Sequence, residues 1–425
     1  MGFRETKTPG SDITASGWYP WILVGALWVV AFLNYLDRIL IASMRDPIVK
    51  EFTLTDAQFG LLTSVFLWSY GLLSPFGGYL ADKYSRKTVI IFSVAVWSAA
   101  TIWTGWVSSF EEMAAARIVM GASEAFYIPA GLALITDYHR GKTRSLATGL
   151  HFSGLYAGLA LGGIGGYIAE IWGWRWGFHI FGFFGCAYAV ILLYLLKDKK
   201  QDNGNLTSAD REVVPVQEDD KKISLWSSIK SLFKEPSFLL LLFYFIVLGI
   251  ANWLIYAWLP TFLKEQFDLG LGESGISATL YIQIGSFAGV LLGGLWADKW
   301  FKTNKRSRIW VVLTGFTVGA PFMYLMSATS VFLIAIIAMF IFGMARGFND
   351  ANLMPIVRQV ADSRYVATAY GFLNFLSTVA GGLMVYVGGA LKDADISLAL
   401  IYKIAAVLLL LATWSLFFVK VKDRS

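Results

Sequence analysis

The chain has 425 residues, of which 56% are apolar and only 15% are charged. Soluble globular domains usually contain about 45–50% apolar and about 25% charged residues, so this composition excludes an ordinary soluble protein. The formal net charge is +6, but the basic residues are spread along the chain, which argues against a nucleic-acid-binding patch.

The apolar residues fall into twelve long stretches. Residues 1–19 precede them, are polar and lack the pattern of a cleaved signal peptide, so we expect a cytoplasmic tail. Each stretch is about as long as a helix that crosses the hydrocarbon core of a bilayer. We therefore predict an all-α membrane protein with twelve transmembrane helices. The predicted spans are 20–43, 57–81, 88–108, 112–137, 145–169, 176–196, 237–262, 273–297, 309–327, 331–356, 366–390 and 396–419.

One long polar segment, residues 197–236, separates the sixth stretch from the seventh. It is rich in charged and amide side chains, which predicts a cytoplasmic linker between two six-helix bundles. The N-terminal bundle then covers residues 20–196 and the C-terminal bundle residues 237–419, followed by a short cytoplasmic tail, 420–425.

The distribution of Lys and Arg predicts the orientation. Loops between transmembrane helices carry most of their Lys and Arg on the cytoplasmic side. When both termini are cytoplasmic, only a small set of basic residues falls on the outside, namely Arg45, Lys50, Arg175, Lys264 and Lys392.

The two halves of the chain resemble each other. Residues 78–87 end the second apolar stretch with Gly, an Ala-Asp-Lys turn and basic residues, and residues 294–299 repeat the first part. Glu124 precedes Pro129 by five residues, as Asp350 precedes Pro355. Repeats of the same orientation predict a pseudo-two-fold axis along the membrane normal and a binding site at the midplane between the halves.

These motifs support a family resemblance. The stretch 78–87, its partial copy and Arg117 with Gly121 are similar to the major facilitator superfamily, which implies its twelve-helix fold. Within that superfamily, residues 34–38 (Asn-Tyr-Leu-Asp-Arg) and 123–130 resemble the anion:cation symporter family, which carries sugar acids and other organic anions with protons. The spinster family of lysolipid exporters shares the Asp-Arg and Glu-Ala pairs, so it stays an alternative.

Ionisable side chains inside a membrane are costly and therefore suggest function. A guanidinium can hold a carboxylate through two parallel hydrogen bonds, so we predict that Arg38 binds the substrate. Asp37 and Glu124 are the predicted proton-coupling acids, because the resemblance places proton-carrying acids there. Arg117 is expected to take a structural or proton-relay role. The alternative is a set of internal ion pairs that only neutralise buried charge.

Further cavity residues follow from the resemblance or from position. Tyr35, Tyr70 and Asn374 match family positions that hydrogen-bond the substrate. The family's amide-bearing position in the fifth helix is Leu155 here, and His151, one turn earlier, is a further substrate-binding prediction, with packing as the alternative. Position suggests that Gln283 also binds the substrate, and it suggests a last group of polar cavity residues: Asn252, Tyr256, Arg346, Asp350 and Asn352.

Arg346 and Asp350 are spaced i, i+4 and can also satisfy each other along one helix face. The loop motif implies gating roles for Asp82 and Arg86 and, in the second copy, Asp298. In the superfamily such residues brace the second and eleventh helices when the cavity faces outward. A pair that forms in only one state biases the equilibrium between states.

The combined prediction is a proton-coupled symporter of a small organic anion, such as a hexuronate or hexonate, that works by alternating access. A spinster-like proton-linked lysolipid exporter and a ligand-sensing receptor that does not transport are the alternatives. The single cysteine, Cys186, and the three histidines form no catalytic or metal-ligand pattern, so we expect no enzyme, metal or cofactor beyond the proton gradient. We expect a monomer in the bacterial inner membrane, with a small anionic solute and the lipid bilayer as partners.

Overall fold

The computed structural model describes residues 17–139, 143–198, 231–362 and 366–421. Most of the predicted linker and of both predicted tails lies outside these ranges. The described residues form twelve helices that are long and apolar enough to cross a membrane, and no strand, which confirms the predicted fold class. These helices are α1 (Tyr19–Phe52), α2 (Asp56–Lys83), α3 (Arg86–Trp106), α4 (Phe110–Tyr138), α5 (Arg144–Trp172), α6 (Trp174–Leu195), α7 (Pro236–Phe267), α8 (Leu271–Phe301), α9 (Ser307–Ala328), α10 (Phe332–Val360), α11 (Val366–Asp393) and α12 (Leu398–Phe418).

Polar residues at the starts of several helices satisfy backbone groups that lipid cannot. Thr55 and Gln58 form a reciprocal capping box at the start of α2, with Gln58 N 3.1 Å from Thr55 Oγ1. Ser85, Ser109 and Ser397 cap α3, α4 and α12 through the side-chain hydroxyl alone, which accepts from a backbone N–H three residues later. Each cap gives a hydrogen-bond acceptor to an N–H group that has no partner within its own helix.

Helices α1, α4 and α5 are each interrupted, and α5 passes through a 3₁₀ turn at Gly162–Ile164. Helix α1 passes through a 3₁₀ turn, Ile41–Met44, and continues to Phe52, nine residues beyond the predicted end at 43. Helix α4 breaks after Glu124, where regular α-helix stops and restarts at Tyr127. Pro129 explains this break, because it has no N–H to donate to the carbonyl four residues earlier.

Each half has its own apolar core. In the first half, Trp97 and Tyr127 are among the largest fully buried side chains, and in the second half Phe316 and Tyr402 take this place. The second core also includes first-half residues of α1, α2, α4 and α6, among them Leu40, Phe59, Met113 and Phe178. The two halves therefore share one continuous set of apolar contacts, which involves four helices of the first half.

The two halves contact each other at one side of the bundle, which we call the far side. The opposite side, where α1 begins and α12 ends, is the termini side. Gly163 of α5 faces Gly275 of α8 so closely that a Cβ atom on Gly163 would lie 2.0 Å from the Gly275 carbonyl oxygen. Ser64 of α2 donates a hydrogen bond of 2.6 Å to the carbonyl of Gly382 in α11. Small residues thus allow the two halves to close on the far side.

Candidate functional site

A cavity of about 480 Å³ lies between the two halves, on the termini side of these contacts. Pro75 of α2 and Gly371 of α11 line its termini side, and both are exposed. Eight polar residues proposed from the sequence lie on its wall. They are Tyr35, Arg38, Tyr70, Asn252, Tyr256, Arg346, Asp350 and Asn374.

Arg38 is the cationic group that the first half brings to the cavity. Its guanidinium carbon lies 4.5 Å from the centre of the Tyr35 ring and 4.3 Å from the centre of the Tyr70 ring. The ring faces attract a cation, so they hold the guanidinium in place without consuming its N–H donors. This geometry leaves an arginine whose side chain is 3% exposed at the edge of a cavity.

Glu124 forms the ion pair that anchors Arg38. Its Oε2 atom accepts a hydrogen bond of 2.7 Å from Arg38 Nε, while Arg38 Nη2 donates to Asn34 Oδ1 at 2.9 Å. Glu124 is fully buried and is the last residue before the break in α4. An anion that binds Arg38 from the cavity therefore competes with a buried carboxylate for the same cation.

Asp37 and Arg117 lie behind this pair, and neither lines the cavity. Both are buried, with relative exposures of 2% and 0%. Arg117 reaches the backbone carbonyl of Leu62 at 3.5 Å and lies over the Phe66 ring at 4.7 Å. The first half thus encloses two acids and two guanidiniums, of which only Arg38 reaches the cavity wall.

The second half has a charged pair of its own at the cavity. Arg346 Nε lies 3.8 Å from Asp350 Oδ2, and the Arg346 guanidinium lies 5.0 Å from the centre of the Tyr256 ring. Gln283 donates a hydrogen bond of 3.2 Å to the Tyr256 hydroxyl. Tyr156 of α5 donates to Asp350 Oδ2 at 3.1 Å, which connects the first half to the second beside the cavity.

Three proposed cavity residues lie behind the wall. His151 is buried, and its Nε2 atom lies 2.8 Å from the hydroxyl of Tyr127 in the same half. Gln283 is 2% exposed and reaches the cavity only through Tyr256. Asn352 donates to the backbone of α8 and α10 and does not line the cavity.

The residues of the proposed gate form ion pairs within each half, on the termini side. Arg86 at the start of α3 pairs with Asp137 at the end of α4. Asp298 at the end of α8 pairs with Arg308 at the start of α9 at 2.7 Å. The side chain of Asp82 lies outside the described part of the structure. These pairs connect neighbouring helices in the state seen here, and bracing of α2 against α11 stays a prediction.

A charged cluster on the far side crosses between the halves, and we call it the far-side ion cluster. Arg45 of α1 pairs with Asp46 and with Asp56 of α2. Lys264 of α7 pairs with Asp46, and Lys392 of α11 reaches Asp56 at 3.3 Å. Each acid of the first half is thus shared with a lysine of the second half.

Sequence reasoning did not assign the far-side ion cluster or Tyr156. The basic members, Arg45, Lys264 and Lys392, entered only as a sign of orientation. Their signal in the sequence was the placement of opposite charges at the same predicted membrane boundary in both halves. Tyr156 carried no charge and no motif, so only its contact with Asp350 identifies it.

The described residues contain no group of three or more His, Cys, Asp or Glu side chains that could hold a metal ion.

Comparison with protein families gives a match over most of the chain. Residues 27–385 match the model of the Major Facilitator Superfamily. A probable sulfoacetate transporter of Cupriavidus necator is 25% identical over 394 residues, which are 91% of each chain. A probable galactarate/D-glucarate transporter of Escherichia coli is 24% identical over 385 residues, which are 85% of each chain.

The spinster proteins are a second group of relatives. Protein spinster homolog 1 of Xenopus tropicalis is 27% identical over 324 residues, 71% of this chain but only 59% of that protein. A bacterial homolog of the human lysosomal transporter spinster, solved in an inward-facing and unoccupied conformation, has the same fold, with a TM-score of 0.75 and 20% identity. That match covers 96% of this chain and all of the solved chain.

Proposed function

Because the chain belongs to the major facilitator superfamily of membrane transporters, we propose that it carries a small organic anion together with a proton. The proposed substrate class is a sugar acid or a similar short carboxylate. The observation that carries this proposal is Arg38, whose guanidinium lies on the cavity wall and shares a hydrogen bond of 2.7 Å with the buried Glu124.

The pairing suggests how anion and proton are coupled. A buried carboxylate that loses its cation is left uncompensated, which costs several kcal/mol in a low-dielectric interior. When a substrate carboxylate takes the Arg38 donors, protonation of Glu124 removes that cost. Substrate and proton therefore favour each other at this site, and Asp37 behind it is a second acid for the same exchange.

The contacts between the halves support alternating access. The far side is closed by Gly163 against Gly275 and by the far-side ion cluster, while the cavity lies towards the termini side. If both termini are cytoplasmic, as the distribution of Lys and Arg predicts, this is an inward-facing state of a transporter in the inner membrane. Opening of the far side would then expose Arg38 to the opposite solution.

The names of two relatives support an anionic substrate. Sulfoacetate carries a sulfonate and a carboxylate, and galactarate and D-glucarate carry two carboxylates. Both relatives match over most of their own length, so the comparison extends to both halves of the cavity. We therefore propose small organic anions as the substrate class of this chain.

Uptake by proteoliposomes tests the proposal. We expect uptake of radiolabelled D-glucarate or D-gluconate, faster when the exterior is more acidic than the interior. Arg38→Gln should reduce uptake at least about tenfold, because it removes charge-assisted hydrogen bonds. Lys403→Gln is the matched control, since Lys403 lies in α12 beside Tyr324, away from the cavity.

Two results would contradict the proposal in different ways. Uptake at a rate that does not depend on the pH gradient would contradict proton coupling. Failure to take up either anion would contradict the substrate class.

A second function, export of a lysolipid, is favoured by the apolar part of the wall. Leu155 and Leu159 of α5, Leu248 of α7 and Leu353 of α10 line the cavity beside the polar groups. This apolar surface could accept an acyl chain while Arg38 holds a phosphate. Binding of lysophosphatidylethanolamine in preference to D-glucarate, measured on the same purified protein, would favour this function over anion symport.

A further inference from the structure

The cavity has a second guanidinium, and it comes from the opposite half of the protein. Arg346 of α10 lines the same cavity as Arg38 and is 11% exposed at its side chain. It lies over the ring of Tyr256, as Arg38 lies over Tyr35 and Tyr70. Each half therefore presents to the cavity one guanidinium supported by an aromatic ring.

The neighbouring acid, Asp350, attracts Arg346 without a hydrogen bond to its Nε atom. The distance of 3.8 Å between Arg346 Nε and Asp350 Oδ2 allows charge attraction but is too long for a hydrogen bond. Within the described residues, Arg346 Nε has no hydrogen-bond partner. A buried N–H without a partner is costly, so a ligand that supplies an acceptor there gains free energy.

Asp350 is instead held by other groups. Its Oδ2 atom accepts from the Tyr156 hydroxyl at 3.1 Å and its Oδ1 atom accepts from Asn349 Nδ2 at 3.2 Å. The Tyr244 hydroxyl in turn donates to Asn349 Oδ1 at 2.6 Å. The carboxylate is thus oriented by Tyr156 and Asn349, while it compensates the charge of Arg346 at a longer distance.

We infer that Arg346 is a second anion subsite, so that the preferred substrate is a short molecule with an anionic group at each end. One group would bind Arg38 of the first half and the other Arg346 of the second. This inference rests on the proposed anion transport and specifies its substrate class. Both dicarboxylates and carboxylate–sulfonates have the required chemistry.

A bridging dianion also gives the substrate a role in the conformational change. A ligand shifts an equilibrium between two states only as far as it binds one of them better. A molecule with one anionic group contacts one half through its charge, whereas a dianion connects Arg38 and Arg346 and so favours a state in which the halves approach around it. Two-point binding therefore makes the dianion the better transported substrate as well as the tighter ligand.

The test uses a matched pair of probes, D-glucarate and D-gluconate. They have the same carbon chain and differ at one end, where glucarate has a carboxylate and gluconate a hydroxyl group. We expect wild-type protein, studied by isothermal titration calorimetry, to bind glucarate at least roughly tenfold more tightly than gluconate, the effect of one charge-assisted contact. Arg346→Gln should reduce this ratio to near one, and Arg346→Lys should restore part of it.

Arg38→Gln should weaken both ligands, and Lys403→Gln should leave both affinities as in wild type. Gel filtration and the melting temperature identify a variant that fails to fold. If Arg346→Gln fails to fold, the affinity ratio of the wild type and that of Arg346→Lys still test the second subsite. Equal wild-type affinity for the two probes, or an unchanged ratio in Arg346→Gln, would overturn the second subsite while the anion function stands. Binding of neither probe would overturn both proposals.

Discussion

Asp393, the last residue of α11, accepts hydrogen bonds from the backbone N–H groups of Asp56 and Ala57 at 2.8 Å each. The carboxylate of the second half therefore caps the start of α2 in the first half. The N-terminus of a helix has unpaired N–H groups and a partial positive charge, so an acid is favourable there. Like the far-side ion cluster, this contact joins the two halves on the far side.

Asp393→Asn should shift the protein towards the state that is open on the far side. Loss of the charge at an exposed helix start should change the ratio of the two states by roughly threefold to tenfold. Electron spin resonance distances between labels at Lys50 and Gln266, in a Cys186→Ser background, measure this shift. Asp395→Asn is the control, because Asp395 is exposed nearby and is not part of the contact. Identical distance distributions for both variants would contradict the capping role.

Gly163→Ala should prevent closure of the far side. The added Cβ would lie 2.0 Å from the carbonyl oxygen of Gly275, a backbone atom that cannot move aside cheaply. Transport should fall at least about tenfold, while folding within each half is retained. Gly149→Ala in the same helix is the matched control, because nothing lies within 4 Å of a Cβ atom there. Equal uptake by the two variants would show that this contact is not needed for transport.

The Glu124→Gln variant should still exchange anion across the membrane but should no longer accumulate it against a gradient. The amide keeps a hydrogen-bond acceptor for Arg38 but cannot bind and release a proton. Exchange of labelled for unlabelled anion across the membrane should therefore persist, within about threefold, since each half-cycle occurs with substrate bound. Uptake driven by an acidic exterior should be lost. Accumulation of the anion by this variant, under the same gradient, would assign coupling to another group such as Asp37.

His151→Phe should affect stability more than substrate affinity. The Nε2 atom of His151 lies 2.8 Å from the Tyr127 hydroxyl inside the first half, behind the cavity wall. Removal of the ring nitrogen leaves a buried hydroxyl with one partner fewer, at a cost of about 1–3 kcal/mol. A lower melting temperature with an unchanged Kd for D-glucarate is expected. A loss of affinity of more than about tenfold would instead support direct substrate contact.

The fold was predictable from local properties of the chain. The length of each apolar stretch follows from the thickness of the bilayer, and lipid requires every backbone group to be paired within a helix. Neither condition depends on distant contacts, so the twelve helices could be located one at a time. Only local details differed, such as the continuation of α1 to Phe52, where a 3₁₀ turn replaces the expected loop.

The site was predictable in its components but not in its arrangement. The cost of burying a charge selected Arg38, Glu124, Arg346 and Asp350, and Arg38, Arg346 and Asp350 line the cavity. The contact between Arg38 and Glu124 joins residues 86 positions apart, and the contact between Tyr156 and Asp350 joins residues 194 apart. Such contacts depend on the rotation and packing of whole helices, which no local pattern encodes.

Hydropathy, charge placement and internal repetition in the sequence alone determined that this is a membrane protein of two related six-helix halves. Tertiary structure alone decided which side of the bundle is closed and which buried groups reach the cavity. The physical reason is that insertion into a bilayer is decided by each helix separately. By contrast, the cavity and the far-side ion cluster join helices of different halves, so they depend on how the two halves pack against each other.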